Sequence, residues 1–172
     1  MRSLLFALLL SGCAAGHAHD VGSTNLSGAR LATPMNLHAV LEVSPSPSVR
    51  RVLAEPDRDA ADRARDEARQ SAELLTYLDV RPGMRVAEIG AGGGYFTELL
   101  ARAVGPRGTV VAQNESELLG PGVRDAWASR LARPAMRNVV AIDGAYATPV
   151  PKGARDFDRV YVDEETRQGV GV

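Results

Sequence analysis

Apolar residues recur at two different spacings in the central part of the chain. Four mostly apolar runs have the length of strands, and two segments between them place apolar residues at helical spacing. The runs are "RVAEI", "GTVVAQN", "NVVAI" and "DRVYVD", and the helical segments are "YFTELLARAV" and "PGVRDAWASRLA". The first three runs are typical of strands buried on both faces, and the alternation of strands with helices favours right-handed crossovers between parallel strands. The pattern therefore predicts an α/β fold.

A further helix is predicted before the first strand. Pro56 and Asp57 form a helix start, and apolar residues then recur on one face at Ala64, Ala68, Leu74, Leu75 and Leu78. The turn "RPG" separates this segment from the first strand. We therefore expect one amphipathic helix, with its apolar face strongest toward the C-terminal end.

The N-terminus has the pattern of an export signal. "MRSLLFALLLSGC" combines the positive Arg2, a short apolar run and small residues before Cys13, and it is too short to span a membrane. "LSGC" also resembles the lipobox of bacterial lipoproteins, in which the cysteine becomes the lipidated first residue. We expect residues 1–12 to be a lipoprotein signal peptide and Cys13 to anchor the chain in the cell envelope, on the periplasmic side of the outer membrane. The alternative is a plain signal peptide with an incidental cysteine.

The segment after Cys13 lacks a sustained helical or strand period. Its Ser/Pro-rich run "VSPSPSVR" is typical of a linker, so we expect residues 13–56 to form a flexible tether and residues 57–172 to form the domain. His17 and His19 lie in this tether without enough further ligands nearby, so no metal site is expected. Cys13 is the only cysteine, which excludes a disulfide within the chain.

Composition and charge limit the class of protein. The 172 residues are 45% hydrophobic and 5% aromatic, which suits one modest domain. The 20 basic residues nearly balance the 21 acidic ones, and no basic cluster alternates with aromatic residues. A nucleic-acid partner is therefore not expected.

The most informative stretch is "VAEIGAGGGYFTELL", in which four glycines lie between the first strand and its helix. A glycine-rich turn there lets a ligand approach the backbone at a helix N-terminus. Gly90, Gly92 and Gly94 form G-x-G-x-G, and Tyr95 stands where the dinucleotide pattern G-x-G-x-x-G requires glycine. A smaller nucleoside ligand is thus favoured over a pyrophosphate, and a P-loop is excluded because no Lys-Ser/Thr pair follows. The alternative, a purely structural turn, would need only one or two glycines.

This stretch resembles the first motif, E/D-x-G-x-G-x-G, of class I S-adenosylmethionine-dependent methyltransferases. The longer segment "RDEARQSAELLTYLDVRPGMRVAEIGAGGGYFTELLARAVGPRGTVVAQN" is similar to a group of predicted bacterial methyltransferases with exported members. The resemblance extends from about Pro56 to Val162, and its later motifs are weak. It implies a Rossmann-like parallel sheet with flanking helices and the strand order 3-2-1-4, and S-adenosylmethionine as the cofactor.

The resemblance also implies which residues of the loop contact the cofactor. Gly90, Ala91 and Gly92 would wrap its methionine part, and Gly94 would complete the loop. Glu88 would hold the loop or contact the cofactor indirectly. The alternative for Glu88 is that its carboxylate only caps the following helix.

Further contacts are implied at the ends of the second and third strands. An acid after the second strand normally binds both ribose hydroxyls, and here Asn114 or Glu115 would do so, although asparagine lacks the charge-assisted strength of a carboxylate. After the third strand, Asp143 would lie near the adenine amino group. Each of the three could equally be ordinary loop polarity. Tyr95 and Phe96 are expected in the core and not against the cofactor.

Catalysis is the least determined part of the chemistry. Asp163, Glu164 and Glu165 follow the fourth strand, beside the expected methyl group, but a solvated acidic run is the favoured interpretation and no catalytic residue is assigned. Because the chain ends soon afterwards, we expect a partial fold of four strands, truncated relative to the family. Its open edge at the fourth strand would invite self-association, and its activity would be low.

The sequence is compatible with two functions. The first is an S-adenosylmethionine-dependent methyltransferase-like lipoprotein that acts on a small-molecule methyl acceptor or is inactive. The alternative is a non-catalytic envelope protein that binds another nucleoside or a protein partner.

Overall fold

The computed structural model describes residues 44–152 and 154–163 of the chain. The predicted signal peptide, Cys13, Glu164 and Glu165 lie outside these residues. The helices are α1 (Pro47–Leu53), α2 (Ala60–Arg65), α3 (Ser71–Leu78), α4 (Tyr95–Val104) and α5 (Pro121–Leu131), and the strands are β1 (Arg85–Ile89), β2 (Thr109–Asn114), β3 (Val139–Asp143) and β4 (Arg159–Val162). None of the helices in this described part has the length and apolar character needed to cross a membrane.

The four strands form one parallel sheet in the order β3-β2-β1-β4. Each predicted strand is present with its ends within one residue of the prediction, and the predicted order is confirmed. Ile89 lies opposite Gln113 and Val162, and Asn114 lies opposite Asp143. The carboxyl ends of all four strands therefore meet at one edge of the sheet, which is where such sheets bind ligands.

The core lies between the sheet and α4. Leu99 and Leu100 of α4 are at most 1% exposed and belong to the main apolar cluster. Phe96 meets Tyr161 of β4 with ring centroids 4.9 Å apart. Tyr95 and Phe96 are both buried in this core, as predicted. Burial of one such side chain contributes about 1.5–3 kcal/mol, so α4 and the loop before it are held firmly on the sheet.

Helix α1 lies inside the segment that the sequence predicts to be a tether. Ser46 caps it by accepting a hydrogen bond from the amide of Val49 at 3.3 Å, and Pro47 occupies the first helical position. Val49 and Val52 are buried against the core. The Ser/Pro-rich run therefore begins a helix, and the tether does not extend to residue 56.

The amphipathic segment before β1 forms two helices instead of one. Asp66, between α2 and α3, accepts hydrogen bonds from two nitrogens of Arg58 at 2.8 and 2.7 Å and from the hydroxyl of Tyr95 at 2.6 Å. Ser71 contacts the same hydroxyl at 2.6 Å. Gln70 has a left-handed φ of 49°, which interrupts the helix. Backbone hydrogen bonds continue across the break with irregular spacing, since the amide of Gln70 donates to the carbonyl oxygen of Glu67 and the amide of Ser71 to that of Asp66.

Strand β3 differs from the prediction of strands buried on both faces. Val140 is 50% exposed, and Ala141 and Asp143 are exposed as well. Helix α5 is exposed along most of its length, and a loop connects β3 to β4 where a crossover helix could have covered the sheet. An edge strand without a helix packed closely on it stays open to solvent.

Candidate functional site

The glycine-rich loop, residues 90–94, connects β1 to α4 at the carboxyl edge of the sheet. Gly90, Gly92 and Gly94 have φ angles of +81°, +56° and +79°, in a region that residues with a Cβ atom rarely adopt. The path of the backbone therefore depends on glycine at these positions. Helix α4 begins directly behind the loop, and the amides of its first turn have no acceptor within their own helix.

Two of these glycines are in close contact with other parts of the chain. A Cβ atom on Gly90 would lie 2.8 Å from the carbonyl oxygen of Asp163 and 3.3 Å from the hydroxyl of Tyr146. A Cβ atom on Gly94 would lie 2.7 Å from the ring of Trp127. The protein itself therefore excludes side chains at both positions, whatever ligand the loop binds.

The end of β2 holds the loop from the sheet side. The backbone carbonyl of Gln113 accepts hydrogen bonds from the amides of Gly90 and Ala91, both at 3.0 Å. Asn114 makes two bonds with Gly92: its Oδ1 accepts from the amide at 2.8 Å, and its Nδ2 donates to the carbonyl oxygen at 3.1 Å. The residue predicted to bind the ribose is thus a buried, two-point support of the loop. Its contact with a cofactor stays a prediction.

Glu115 and Asp143, the other predicted ligands, connect the loops that follow β2 and β3. One oxygen of Glu115 accepts from the amide of Tyr146, and one oxygen of Asp143 accepts from the amide of Ser116, both at 2.9 Å. Within the part of the chain that the structure describes, each contact uses a single carboxylate oxygen, which leaves the other oxygen as an acceptor for a ligand. Both side chains lie at the ligand edge of the sheet, and their contact with a cofactor also stays a prediction.

Tyr146, Trp127 and Arg130 complete the surroundings of the loop, and none of them is among the residues predicted for the site. Tyr146 lies next to Gly90, while Trp127 and Arg130 of α5 lie next to Gly94. An aromatic residue within the short segment "DGAYATP" is the available signal for Tyr146. For α5 the signal is the three-residue spacing of Trp127 and Arg130, which places them on the same helix face.

Glu88, near the end of β1, is fully buried, and neither oxygen of its carboxyl group has a hydrogen-bond partner among the described residues. The pKa of Glu88 is raised to about 8, mainly because the carboxyl group is buried and in part because the acid Asp163 lies nearby. The hydroxyl of Thr97 offsets part of this rise, although its alignment with the carboxyl group is too poor for a hydrogen bond. The carboxyl group is therefore mostly protonated and neutral at pH 7. An unpaired buried polar group is costly, and this one lies two residues before the loop.

Asp163 follows β4 and differs from the solvated acid that the sequence favours. It is 3% exposed, and its Oδ2 accepts a hydrogen bond from Arg69 at 3.2 Å. Burial raises the pKa of Asp163, and Arg69 offsets part of the rise. Two buried acids, Glu88 and Asp163, therefore share this corner of the sheet with the guanidinium of Arg69.

Comparison with known proteins agrees with this geometry. The protein-L-isoaspartate(D-aspartate) O-methyltransferase (PCMT) family matches residues 62–163, more than half of the chain. A solved protein-L-isoaspartate O-methyltransferase superposes with a TM-score of 0.52 at 19% identity, over 73% of this chain and 45% of that one. A cyclopropane-fatty-acyl-phospholipid synthase-like protein from Lactobacillus casei superposes with a TM-score of 0.50 at 24% identity, over 70% of this chain and 42% of the other. Both superpositions show a shared fold.

In sequence, the tRNA (adenine(58)-N(1))-methyltransferase TrmI of Thermus thermophilus is 50% identical over 42 residues, which are 24% of this chain and 16% of the relative. The chain thus spans less than half of these proteins' length. The expected likeness to class I methyltransferases is confirmed. The match over residues 62–163, on a sheet with the strand order 3-2-1-4, shows that this chain belongs to the protein-L-isoaspartate(D-aspartate) O-methyltransferase family, whose cofactor is S-adenosylmethionine.

Proposed function

We propose that the described domain binds S-adenosylmethionine at the carboxyl edge of its sheet and is the cofactor-binding part of an O-methyltransferase. The observation that carries this proposal is the convergence of three features at one edge. They are the loop 90–94, the start of α4, and the polar ends of β2 and β3. Family membership supports the proposal because the whole of this edge lies within the matched residues 62–163.

The residues at this edge fit the cofactor. The backbone of Gly90–Gly92 would face its methionine part, Glu115 with Asn114 its ribose hydroxyls, and Asp143 its adenine amino group. Glu115 and Asp143 each keep one carboxylate oxygen as an acceptor, and the unpartnered carboxyl of Glu88 leaves hydrogen-bonding capacity beside the loop. When bound, the cofactor supplies a methyl group that is already activated on a sulfonium.

Methyl transfer also needs an acceptor that is held in line with the methyl group and shielded from water. Among the described residues, β4 is the last strand of the sheet and only Asp163 follows it, so these residues build no wall on the acceptor side. We expect the domain by itself to bind the cofactor and to transfer methyl groups slowly or not at all. Its acceptor, in this proposal, is a small molecule.

A second candidate is a domain whose loop is only structural and which binds a partner through an open sheet edge. The amides of Gly90, Ala91, Gly92 and Gly94 all donate hydrogen bonds within the chain, which favours this alternative. A loop whose amides are satisfied internally has fewer donors to offer a ligand.

Calorimetric titration of the full chain with S-adenosylhomocysteine separates the two candidates. Gly92→Val places a β-branched side chain at a φ of +56° within the loop, and we expect it to abolish binding. Gly83→Val is the matched control, because Gly83 also has a positive φ, +89°, but no atom lies within 4 Å of its Cβ position. Binding should persist in this control.

The same titration contains the outcomes that contradict the proposal. No heat with S-adenosylhomocysteine, together with clear binding of NAD, would replace the cofactor assignment by a dinucleotide site. No binding of either compound would favour the structural loop. Radiolabelled methyl transfer to small hydroxyl, amine and thiol acceptors, to an isoaspartyl peptide and to tRNA then tests the choice of acceptor.

The place of the protein in the cell is a separate proposal. We propose that Cys13 is lipidated and holds the domain in the cell envelope, because it follows "LSG" and a short apolar run. The sequence pattern alone supports this proposal.

A further inference from the structure

Helix α5 is attached to the rest of the molecule mainly at its C-terminal end. Arg130 is the one buried residue of this helix, with 7% of its surface exposed. A buried arginine is uncommon and needs charged or polar partners for its guanidinium group. The partners of Arg130 therefore indicate what it does.

The guanidinium of Arg130 connects the glycine-rich loop to two helices. Its Nε donates to the carbonyl oxygen of Gly93 at 3.0 Å. Its Nη1 donates to Asp62 of α2 at 2.5 Å and to Glu98 of α4 at 2.6 Å, and its Nη2 donates to Asp62 at 3.0 Å. Because two charged acceptors fix the plane of the guanidinium, the direction of its Nε–H bond is fixed as well.

Both acceptors are ionised in the folded protein. Burial would raise the pKa of Asp62, but hydrogen bonds from Arg130 and Arg65 hold it below its usual value. Burial would likewise raise the pKa of Glu98, and hydrogen bonds from Arg102 and Arg130 hold it below its usual value. The anchor that orients Arg130 is therefore charged at neutral pH.

The peptide unit between Gly93 and Gly94 is consequently held at both ends. Its carbonyl oxygen accepts from Arg130, and its amide, the N–H of Gly94, donates to the carbonyl oxygen of Ala91 at 2.9 Å. Arg130 also leaves no room for a side chain at position 94, since a Cβ atom on Gly94 would lie 3.0 Å from Cδ of Arg130. Asn114 supports the same loop from the sheet side.

We propose that Arg130 is a positioning residue of the cofactor-binding loop: its hydrogen bond to Gly93 fixes the peptide between Gly93 and Gly94 and so sets the conformation that the loop presents to the ligand. The effect of Arg130 on cofactor binding rests on the proposed function, whereas its effect on the loop rests only on the contacts of Arg130. A merely structural arginine would stabilise the packing of α2, α4 and α5 without determining the loop.

Arg133 provides a matched control for this distinction. It lies two residues beyond the end of α5, and it shares the acceptor Glu98, to which its Nη1 donates at 3.0 Å. Its other ion pairs are with Asp59 at 3.5 Å and Asp62 at 3.7 Å. Arg133 thus belongs to the same charge cluster, whereas Arg130 is the member with a hydrogen bond to the loop.

The test compares Arg130→Lys with Arg133→Lys in the full chain. The amide resonances of Gly93 and Gly94 report the loop without any ligand, and calorimetry gives the affinity for S-adenosylhomocysteine. We expect Arg130→Lys to shift or broaden both resonances and to weaken binding about tenfold, the effect of one lost charge-assisted hydrogen bond. Arg133→Lys should leave the resonances in place and change the affinity by less than about twofold.

Two results would overturn the inference: loop resonances unchanged in Arg130→Lys, or equal shifts in both variants. If the unsubstituted chain binds no S-adenosylhomocysteine, the proposed function fails while the resonances still decide the role of Arg130. If Arg130→Lys does not fold, the native chain can be tested instead. The hydrogen bond from Arg130 Nε to the Gly93 carbonyl oxygen should give a scalar coupling, measured by NMR, between Nε and the carbonyl carbon of Gly93. Its detection supports the inference, and its absence contradicts it.

Discussion

Asn114 shows at the scale of one residue why an amide stands where the family pattern has an acid. A carboxylate there could accept the hydrogen bond of the Gly92 amide but could not donate to the Gly92 carbonyl oxygen. Asparagine does both. The support of the loop therefore accounts for this departure from the family pattern, and Glu115 is the acid that remains available near the position that we propose for the ribose.

Glu88 makes the stability of the fold depend on pH. Its pKa is about 8 in the folded protein, against an ordinary value of 4.5, so in this window the folded state keeps a proton that the unfolded state loses. The contribution of Glu88 to the free energy of unfolding is thus fully present below about pH 4.5 and is lost as the pH rises through about 8, at a slope of about 1.4 kcal/mol per pH unit.

We expect Glu88→Gln to remove most of this decrease in the free energy of unfolding with rising pH, because the amide is neutral at every pH. Urea unfolding at about pH 5, 7 and 9 measures the free energy of unfolding of both chains. A smaller dependence on pH should persist in the variant, because burial also raises the pKa of Asp163. Glu67→Gln is the control, since Glu67 is exposed and its substitution should leave the profile unchanged. Parallel profiles for the native chain and Glu88→Gln would show that the buried carboxyl is not protonated.

At the scale of elements, the strands and α4 could be predicted because their apolar spacing is a local property of the sequence. The break between α2 and α3 could not, since Asp66 is held by Arg58 and by the distant Tyr95. Local spacing also does not show whether a helix covers a strand, which is why the exposure of β3 was not predicted. Helix α1 was missed because serine and proline mark both linkers and helix starts.

The candidate site likewise has residues that the sequence predicts and contacts that it does not predict. The glycines and the polar residues at the strand ends could be predicted, since a parallel sheet brings the ends of its strands together. The bond between Asn114 and Gly92 depends on the register of β1 and β2, and the bond between Arg130 and Gly93 depends on how α5 docks. Neither contact has a signature in the spacing of residues along the chain.

Strand β4 leads to a prediction about association. Among the described residues it pairs only with β1, so its outer side presents unpaired amides and carbonyls. We expect the full chain to self-associate through this edge in sedimentation velocity at increasing concentration. Val162→Lys should weaken the association because an edge lysine disfavours strand pairing. Val140→Lys, on the opposite edge strand β3, is the control, and a larger effect of that variant would place the contact at β3.

At the scale of the whole molecule, ion pairs connect the N-terminal part of the described chain to helices α4 and α5. Arg102 of α4 bonds Asp57 at 2.8 Å and Glu98 at 2.7 Å, and Arg130 bonds Asp62 of α2. The loop that we propose to bind the cofactor shares Arg130 with this system. Asp62 of α2 is therefore connected to the loop through Arg130, although no residue of α1 or α2 is expected to contact the ligand.

The anchoring of the whole molecule depends, in our proposal, on Cys13. In a Gram-negative host we expect the native chain to incorporate radiolabelled palmitate and to fractionate with the outer membrane, since Ala14 is not the aspartate that often favours inner-membrane retention. Cys13→Ser should lose the label and be released or mislocalised, because serine lacks the sulfur to which the lipid is attached. Ser11→Ala keeps a small residue before the cysteine and should behave as the native chain does. A native chain without label, and unchanged fractionation of Cys13→Ser, would show that the cysteine is incidental to an ordinary signal peptide.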